Sequence, residues 1–350
     1  MKPLMVLVLW ILAASPARAD MDQAEIIALS ASVLKVEVLR AQGGVSLGSG
    51  VVVAPEKILT NCHVTHDALN VNVLRGGARW PAASQMSDVD HDLCLLRVPG
   101  LQASVVTLGH TEQLKPGQPV IALGYTGGVH MQKSQGVVLA LHRYDGSRVI
   151  QSSNWFNSGA SGGGLFDQNL HLVGILTFRL RGGEVHYFAA PAEWLRAMLD
   201  VPGDEGYRDV APDRSKQLAY WQRPVLDQPR FLQATLLQRD ELWPELESMA
   251  VEWARADPSD PEPWYLMGVA LAQMNRLPEA ERALGCSLAI EPASTAAWAW
   301  LAPVYRRQGQ IERARQIQSR LGNRNARPGR ISPPALSTPC AIDIASSPTP

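Results

Sequence analysis

The chain has 350 residues, 46% of them hydrophobic, enough to bury more than one core and to suggest two domains. Its formal net charge of −1 excludes a global field suited to nucleic acid or an anionic membrane. Four cysteines in such a length exclude a disulfide scaffold.

Residues 1–19 read as a targeting segment. Lys2 supplies a positive start, and Leu4 to Ala14 is an apolar run of signal-peptide length, too short to span a membrane. Ala17 and Ala19 are small residues at the two positions a signal peptidase reads, so cleavage is predicted after Ala19, with an uncleaved anchor as the alternative. No later run reaches the length of a membrane helix. The expected location is therefore periplasmic or secreted, where disulfides are permitted.

From residue 30 to 195, short runs of Val, Ile and Leu alternate with glycine-bearing turns. They are Val33 to Leu39, Gly50 to Val53, Val71 to Leu74, Leu93 to Val98, Val120 to Leu123, Gly136 to Leu139 and Leu172 to Leu176. Strands at this spacing predict closed barrels or a sandwich. The lack of long amphipathic helices between them argues against a parallel α/β sheet. Ala192 to Leu199 has helical spacing, and residues 201–226 read as a linker rich in Pro, Gly and charge at its start.

From 227 the pattern is helical and periodic. Trp264, Met267, Gly268, Leu271, Ala280, Leu284 and Pro292 are matched about 34 residues later by Trp298, Leu301, Ala302, Tyr305, Ala314 and Leu321. A weaker match one period earlier runs through Ala234, Leu237, Leu246, Ala250 and Pro258. Asp257-Pro258 and Glu291-Pro292 end second helices, since proline cannot continue one. These offsets resemble the tetratricopeptide repeat, with unrelated helical hairpins as the alternative. The resemblance implies an all-α repeat domain over 227–324 whose curved surface takes a protein or peptide partner. Residues 325–350, rich in Pro, Ser, Thr and Ala, are expected to be disordered.

Three segments carry the chemistry. Gly48-Ser49-Gly50-Val51-Val52-Val53 leads through Ile58-Leu59-Thr60-Asn61-Cys62 to His63. Asp92 opens the apolar run Leu93 to Val98. Ser161 sits within Asn157-Ser158-Gly159-Ala160-Ser161-Gly162-Gly163-Gly164. In this order and with these strands between, they resemble the trypsin-like peptidases, and among them the bacterial HtrA/Deg branch, over residues 30 to 195. The strand Gln135 to Leu141 and the segment Phe188-Ala189-Ala190-Pro191 belong to the same resemblance. The implied fold is multi-domain: an all-β, trypsin-like double β-barrel over 20–200, then the all-α repeats.

The resemblance assigns a triad. A serine hydroxyl is a poor nucleophile and needs an adjacent base. His63 would take the Ser161 proton, and Asp92 would hold the imidazole tautomer. The backbone N–H groups of Gly159 and Ser161 would form the oxyanion hole. Trp155, Phe156, Thr177, Phe178 and Phe188 would line or approach the substrate pocket. No acid stands at the pocket base, so an apolar residue before the cut bond is expected, rather than Lys or Arg.

Rival readings are weaker. His66 and His91 flank the expected base and acid, and Asp88 and Asp90 lack the apolar strand that follows Asp92. Ser152, Ser153 and Ser158 read as loop hydroxyls. Cys62, His63, His66 and Cys94 match no standard zinc spacing, and the Asp88 to Asp92 run lacks the glycine and distal acid of a calcium loop. No metal and no cofactor are expected. For Cys62 and Cys94, a disulfide and two free buried thiols both stand open. Two departures from the family pattern stand out. Ala160 occupies the place where trypsin-like zymogens keep an aspartate, and the PDZ domains usual after HtrA peptidases are replaced by the repeats. A barrel that has lost efficient catalysis and serves as a scaffold is the alternative function.

Overall fold

The computed structural model describes residues 23–128, 130–180, 186–212, 216–322 and Cys340. The targeting segment and nearly all of the 325–350 tail lie outside the described residues. Cys340, within that tail, is joined by a disulfide to Cys286.

After a short helix α1 (Gln23–Ser30) come strands β1 (Val33–Arg40), β2 (Val45–Ala54) and β3 (Lys57–Thr60) and a single helical turn α2 (Cys62–Thr65). Then follow β4 (Ala68–Arg75), β5 (Ala78–Pro81), β6 (Ser84–Asp88) and β7 (Leu93–Arg97). Alternating burial along β1 puts Leu34, Val36 and Val38 inside, where Val52, Ile58, Val71, Val73 and Leu96 meet them in one core. The second unit contains β8 (Pro119–Gly124), β9 (Gln132–Tyr144), β10 (Ser147–Ser152), β11 (Gly164–Phe166), β12 (Leu172–Leu180) and β13 (His186–Pro191). These six close into an antiparallel barrel in the order β10-β13-β12-β11-β8-β9.

The predicted helix at 192–199 is present as α3 (Ala192–Leu199). Part of the predicted linker is structured. Arg208–Asp209 forms β14, which pairs with β6 and extends the first sheet to the order β14-β6-β7-β3-β2-β1-β4-β5. Both units had been expected as closed barrels. The first wraps its core without a ladder between its edge strands β14 and β5. The edge at β6 is covered instead by chain from beyond the second barrel, which removes one exposed strand edge.

Three antiparallel helical hairpins follow: α4 (Arg230–Arg239) with α5 (Trp243–Ala256), α6 (Pro261–Gln273) with α7 (Leu277–Ile290), and α8 (Thr295–Arg307) with α9 (Ile311–Gly322). Trp264 and Trp298 occupy equivalent places and make equivalent bonds. Each indole N–H donates to the carbonyl six residues before it, that of Pro258 at 3.4 Å and that of Pro292 at 3.0 Å. Gly268 packs so closely on Leu284 that a β-carbon there would collide with it, so the second hairpin is tight.

The hairpins dock on the second barrel. A groove of about 520 Å³ runs between them, lined among others by His142 and Arg148 of the barrel and by Phe231, Tyr265 and Trp300 of α4, α6 and α8. His142 stacks on Phe231 (4.6 Å between centroids) and its Nδ1 lies 2.7 Å from Glu262 Oε1. Burial opposes a charge on His142, but Glu262 and Gln151 outweigh it and raise its pKa above the usual value. Among the described residues no helix is long and apolar enough to cross a membrane.

Candidate active site

His63 and Asp92 meet because of a strand register. β3 and β7 are antiparallel, with Thr60 opposite Cys94. The turn α2, which follows β3, therefore lies beside Asp92, which precedes β7. The structure joins Cys62 to Cys94 as a disulfide, clamping the two segments at the point where His63 and Asp92 diverge from the ladder.

Asp92 is 1% exposed. A buried carboxylate is costly unless donors surround it, and here three do. His63 Nδ1 lies 2.6 Å from Oδ2, the His63 backbone N–H donates to Oδ1 at 2.8 Å, and the indole N–H of Trp221 donates to Oδ2 at 3.1 Å. An ionised carboxylate only accepts, so Nδ1 carries the proton and Nε2 is left as the basic nitrogen. Asp92 adopts a left-handed backbone (φ 60°), which Asp tolerates better than most residues. Its carbonyl accepts from Asn61 Nδ2 at 2.8 Å and from the Cys62 N–H at 3.2 Å, which hold it there.

Ser161 belongs to the loop between β10 and β11. Gly159 (φ 93°) and Gly162 (φ 84°) need conformations that L side chains rarely adopt, and a β-carbon at either would strike backbone atoms. The loop is pinned to the first unit. The Ser49 N–H donates to the Ser161 carbonyl at 2.8 Å and Ser49 Oγ to the Gly159 carbonyl at 2.7 Å. Among the described residues, the backbone N–H groups of Gly159 and Ser161 have no acceptor, leaving two donors free at the serine. Ser161 Oγ itself is directed at the Thr177 carbonyl, 3.5 Å away, rather than at His63. Asn61 bridges the halves, since its Nδ2 also lies 3.3 Å from Thr177 Oγ1.

The rival residues are engaged elsewhere. Asp88 bonds His91 Nδ1 at 2.7 Å, and His91 stacks on Trp194 at 3.9 Å. Burial lowers the pKa of His91, but Asp88 and Asp145 outweigh it and leave it raised. Asp90 pairs with Arg223. No group of three or more His, Cys, Asp or Glu suited to a metal ion occurs among the described residues.

The five expected pocket residues separate. A cavity of about 440 Å³ beside the serine loop is lined by Trp155 and Phe156 together with Ala160, Thr126, Met131 and Lys133. Thr177, Phe178 and Phe188 do not line it. Phe188 is 1% exposed and stacks on Phe178, whose other face is covered by Trp221 at 4.9 Å. Thr177 is likewise buried, its hydroxyl donating to the Ile175 carbonyl at 2.8 Å. Trp221 takes Phe178 out of solvent, while the Thr177 carbonyl stands 3.5 Å from Ser161 Oγ. Trp221 itself was missed, since it falls in the predicted linker. The available signal was the aromatic pair Tyr220-Trp221 in a segment otherwise read as a tether.

Residues 48–175 match the family of trypsin-like peptidase domains, a span that contains His63, Asp92 and Ser161. Serine protease HTRA4 of Mus musculus is 30% identical over 195 residues, covering 51% of this chain and 39% of its own length. The periplasmic pH-dependent serine endoprotease DegQ of Escherichia coli is 32% identical over 197 residues, covering 49% of this chain and 43% of its own length. The chain thus spans about two-fifths of the curated relatives it matches. The active form of the Rv3671c protease from M. tuberculosis, at 24% identity, superposes over 61% of this chain and 100% of that one with a TM-score of 0.51, a likeness of fold. Over residues 48–175 the β-rich part of the chain is thus similar to trypsin-like peptidase domains, and among its curated relatives are proteases of the HtrA and Deg kinds.

Proposed function

We propose that the chain is an exported serine endopeptidase acting through Ser161, His63 and Asp92, with a tetratricopeptide module over 227–324 that binds protein or peptide. The observation that carries the reading is the His63–Asp92 pair at 2.6 Å, buried on the acid's side, beside a serine loop with two unpaired backbone donors.

In this mechanism His63 Nε2 takes the Ser161 proton as Oγ attacks the peptide carbonyl, then returns it to the leaving amine. Asp92 fixes the tautomer and stabilises the imidazolium. The N–H groups of Gly159 and Ser161 hold the developing oxyanion. Water then hydrolyses the acyl-enzyme by the same proton relay. No carboxylate lines the cavity at Trp155 and Phe156, which supports cleavage after apolar residues. The two disulfides fit an oxidising compartment, and the name of DegQ places that relative in the periplasm. The repeated Trp264 and Trp298 bonds support the repeat reading, and the groove against the barrel supports peptide binding there.

The test is labelling by a fluorophosphonate, wild type against Ser161→Ala. Labelling of wild type alone is expected, with hydrolysis of peptides carrying Ala, Val or Leu before the cut bond. Equal labelling of both would remove Ser161 as nucleophile. A second reading, a catalytically weak scaffold acting through its helices, draws on one observation: Ser161 Oγ faces the Thr177 carbonyl rather than His63. Catalytic hydrogen bonds often close only in the substrate complex, so the two readings part on whether wild type turns over peptide substrates and Ser161→Ala does not.

A further inference from the structure

We infer that Trp221, from the segment joining the peptidase to the helices, is a positioning residue for the catalytic acid, and that the triad is complete only with this segment in place. The inference rests on the serine-peptidase reading for its catalytic consequence and on geometry alone for the contact.

The indole N–H donates to Asp92 Oδ2, the same oxygen that faces His63 Nδ1. The ring packs edge-on to His63 at 5.7 Å and parallel to Phe178 at 4.9 Å, so its orientation is set from two sides. Its place in the chain is also fixed. The Tyr220 N–H donates to the Asp90 carbonyl at 3.0 Å, and Arg223 pairs with the Asp90 carboxylate. Tyr220 is fully buried against Tyr144 and Phe178. The segment is thus strapped across the loop that presents Asp92.

The strap is tied to the first hairpin. Gln228 Nε2 donates to the carbonyls of Trp221 (3.1 Å) and Arg223 (2.8 Å), and Gln233 of α4 donates to the Gln228 carbonyl at 2.6 Å. A chain of hydrogen bonds therefore runs from α4 to the triad acid. A residue about 130 positions beyond Asp92 supplies a donor that the peptidase fold itself does not.

The electrostatic consequence has a sign. A donor on the carboxylate disperses its charge. Without it, more of that charge falls on His63 and its imidazolium is favoured. A protonated base cannot accept the serine proton, so activity near neutral pH falls.

The experiment uses the full chain and follows the His63 imidazole by NMR titration in wild type, Trp221→Phe and Trp221→benzothienylalanine. The last keeps the bicyclic shape and loses only the N–H. The inference expects the His63 imidazolium to persist to higher pH in both variants, with fluorophosphonate labelling at pH 7 slowed about tenfold, the order of one lost hydrogen bond to a charged group. An unchanged His63 titration in the folded benzothienylalanine variant overturns it, whatever the labelling rate, because packing alone would leave the titration in place. Should wild type fail to label, the peptidase reading falls, while the titration still decides whether Trp221 acts on Asp92.

Discussion

The two halves of the site are built by different means. The serine loop is a backbone structure. Its shape follows from glycines that no other residue replaces and from its carbonyls' bonds to the N–H and hydroxyl of Ser49. The His63–Asp92 pair is a side-chain structure, held by a disulfide, by Asn61 and by an indole from a distant segment. The first kind of order is local and written in consecutive residues. The second kind is assembled from positions 61, 62, 92, 94 and 221, and can be loosened one contact at a time.

That contrast is open to attack at several points, in falling order of effect. Ser161→Ala should lower peptide hydrolysis by about a thousandfold or more, leaving only binding and oxyanion stabilisation. Full activity in this variant would end the comparison, since Ser161 would not be the reacting group. Gly162→Ala should come next, at about a hundredfold in fluorophosphonate labelling rate, because a displaced loop misplaces the nucleophile. If the difference between the halves is real, this one-carbon change costs more in labelling than any single substitution at Asn61.

Cutting the clamp should act on stability. Cys62→Ala with Cys94→Ala is expected to cost about 3 kcal/mol, read as a lowered denaturant midpoint. An unchanged midpoint would mean that the ladder between β3 and β7 already holds the acid and base together. The smallest effect lies outside the site and serves as a control. Burial pushes the Asp260 pKa from 3.8 up to about 6, opposed by the Glu262 N–H that its side chain caps. The folded state thus holds this proton more tightly than the unfolded chain. The stability it contributes is complete below about pH 3.8 and is lost as pH rises through about 6. Asp260→Asn keeps a capping side chain and should flatten that decline by about 3 kcal/mol without altering labelling. A changed labelling rate would show that the helices and the site are coupled through α6 as well as through the strap.

The same contrast explains how much was legible beforehand. Strands were readable from their apolar runs, and β1, β2, β4, β7, β8, β9 and β12 lie where those runs stand. The loop around Ser161 was readable because glycines at 159, 162, 163 and 164 are a local signal. His63 and Asp92 were readable from short segments placed by resemblance. Trp221 was not readable, because no local pattern says which carboxylate an indole 129 residues away will meet. The burial of Phe178 was not readable either, for a related reason. Phe178 and Phe188 had the right neighbours in the chain, but a third ring from the strap covered the first of them. Nor did the apolar runs reveal that β14 would join the first sheet from beyond the second barrel.

The bond between Cys62 and Cys94 has a consequence in time. Thiols stay unpaired in a reducing cytosol and oxidise after export. A newly made chain of this kind would therefore carry its base-bearing turn and its acid-bearing strand without their covalent tie until it has left the compartment of its synthesis. On the export proposed above, the tie between these two segments would form only on the far side of the membrane.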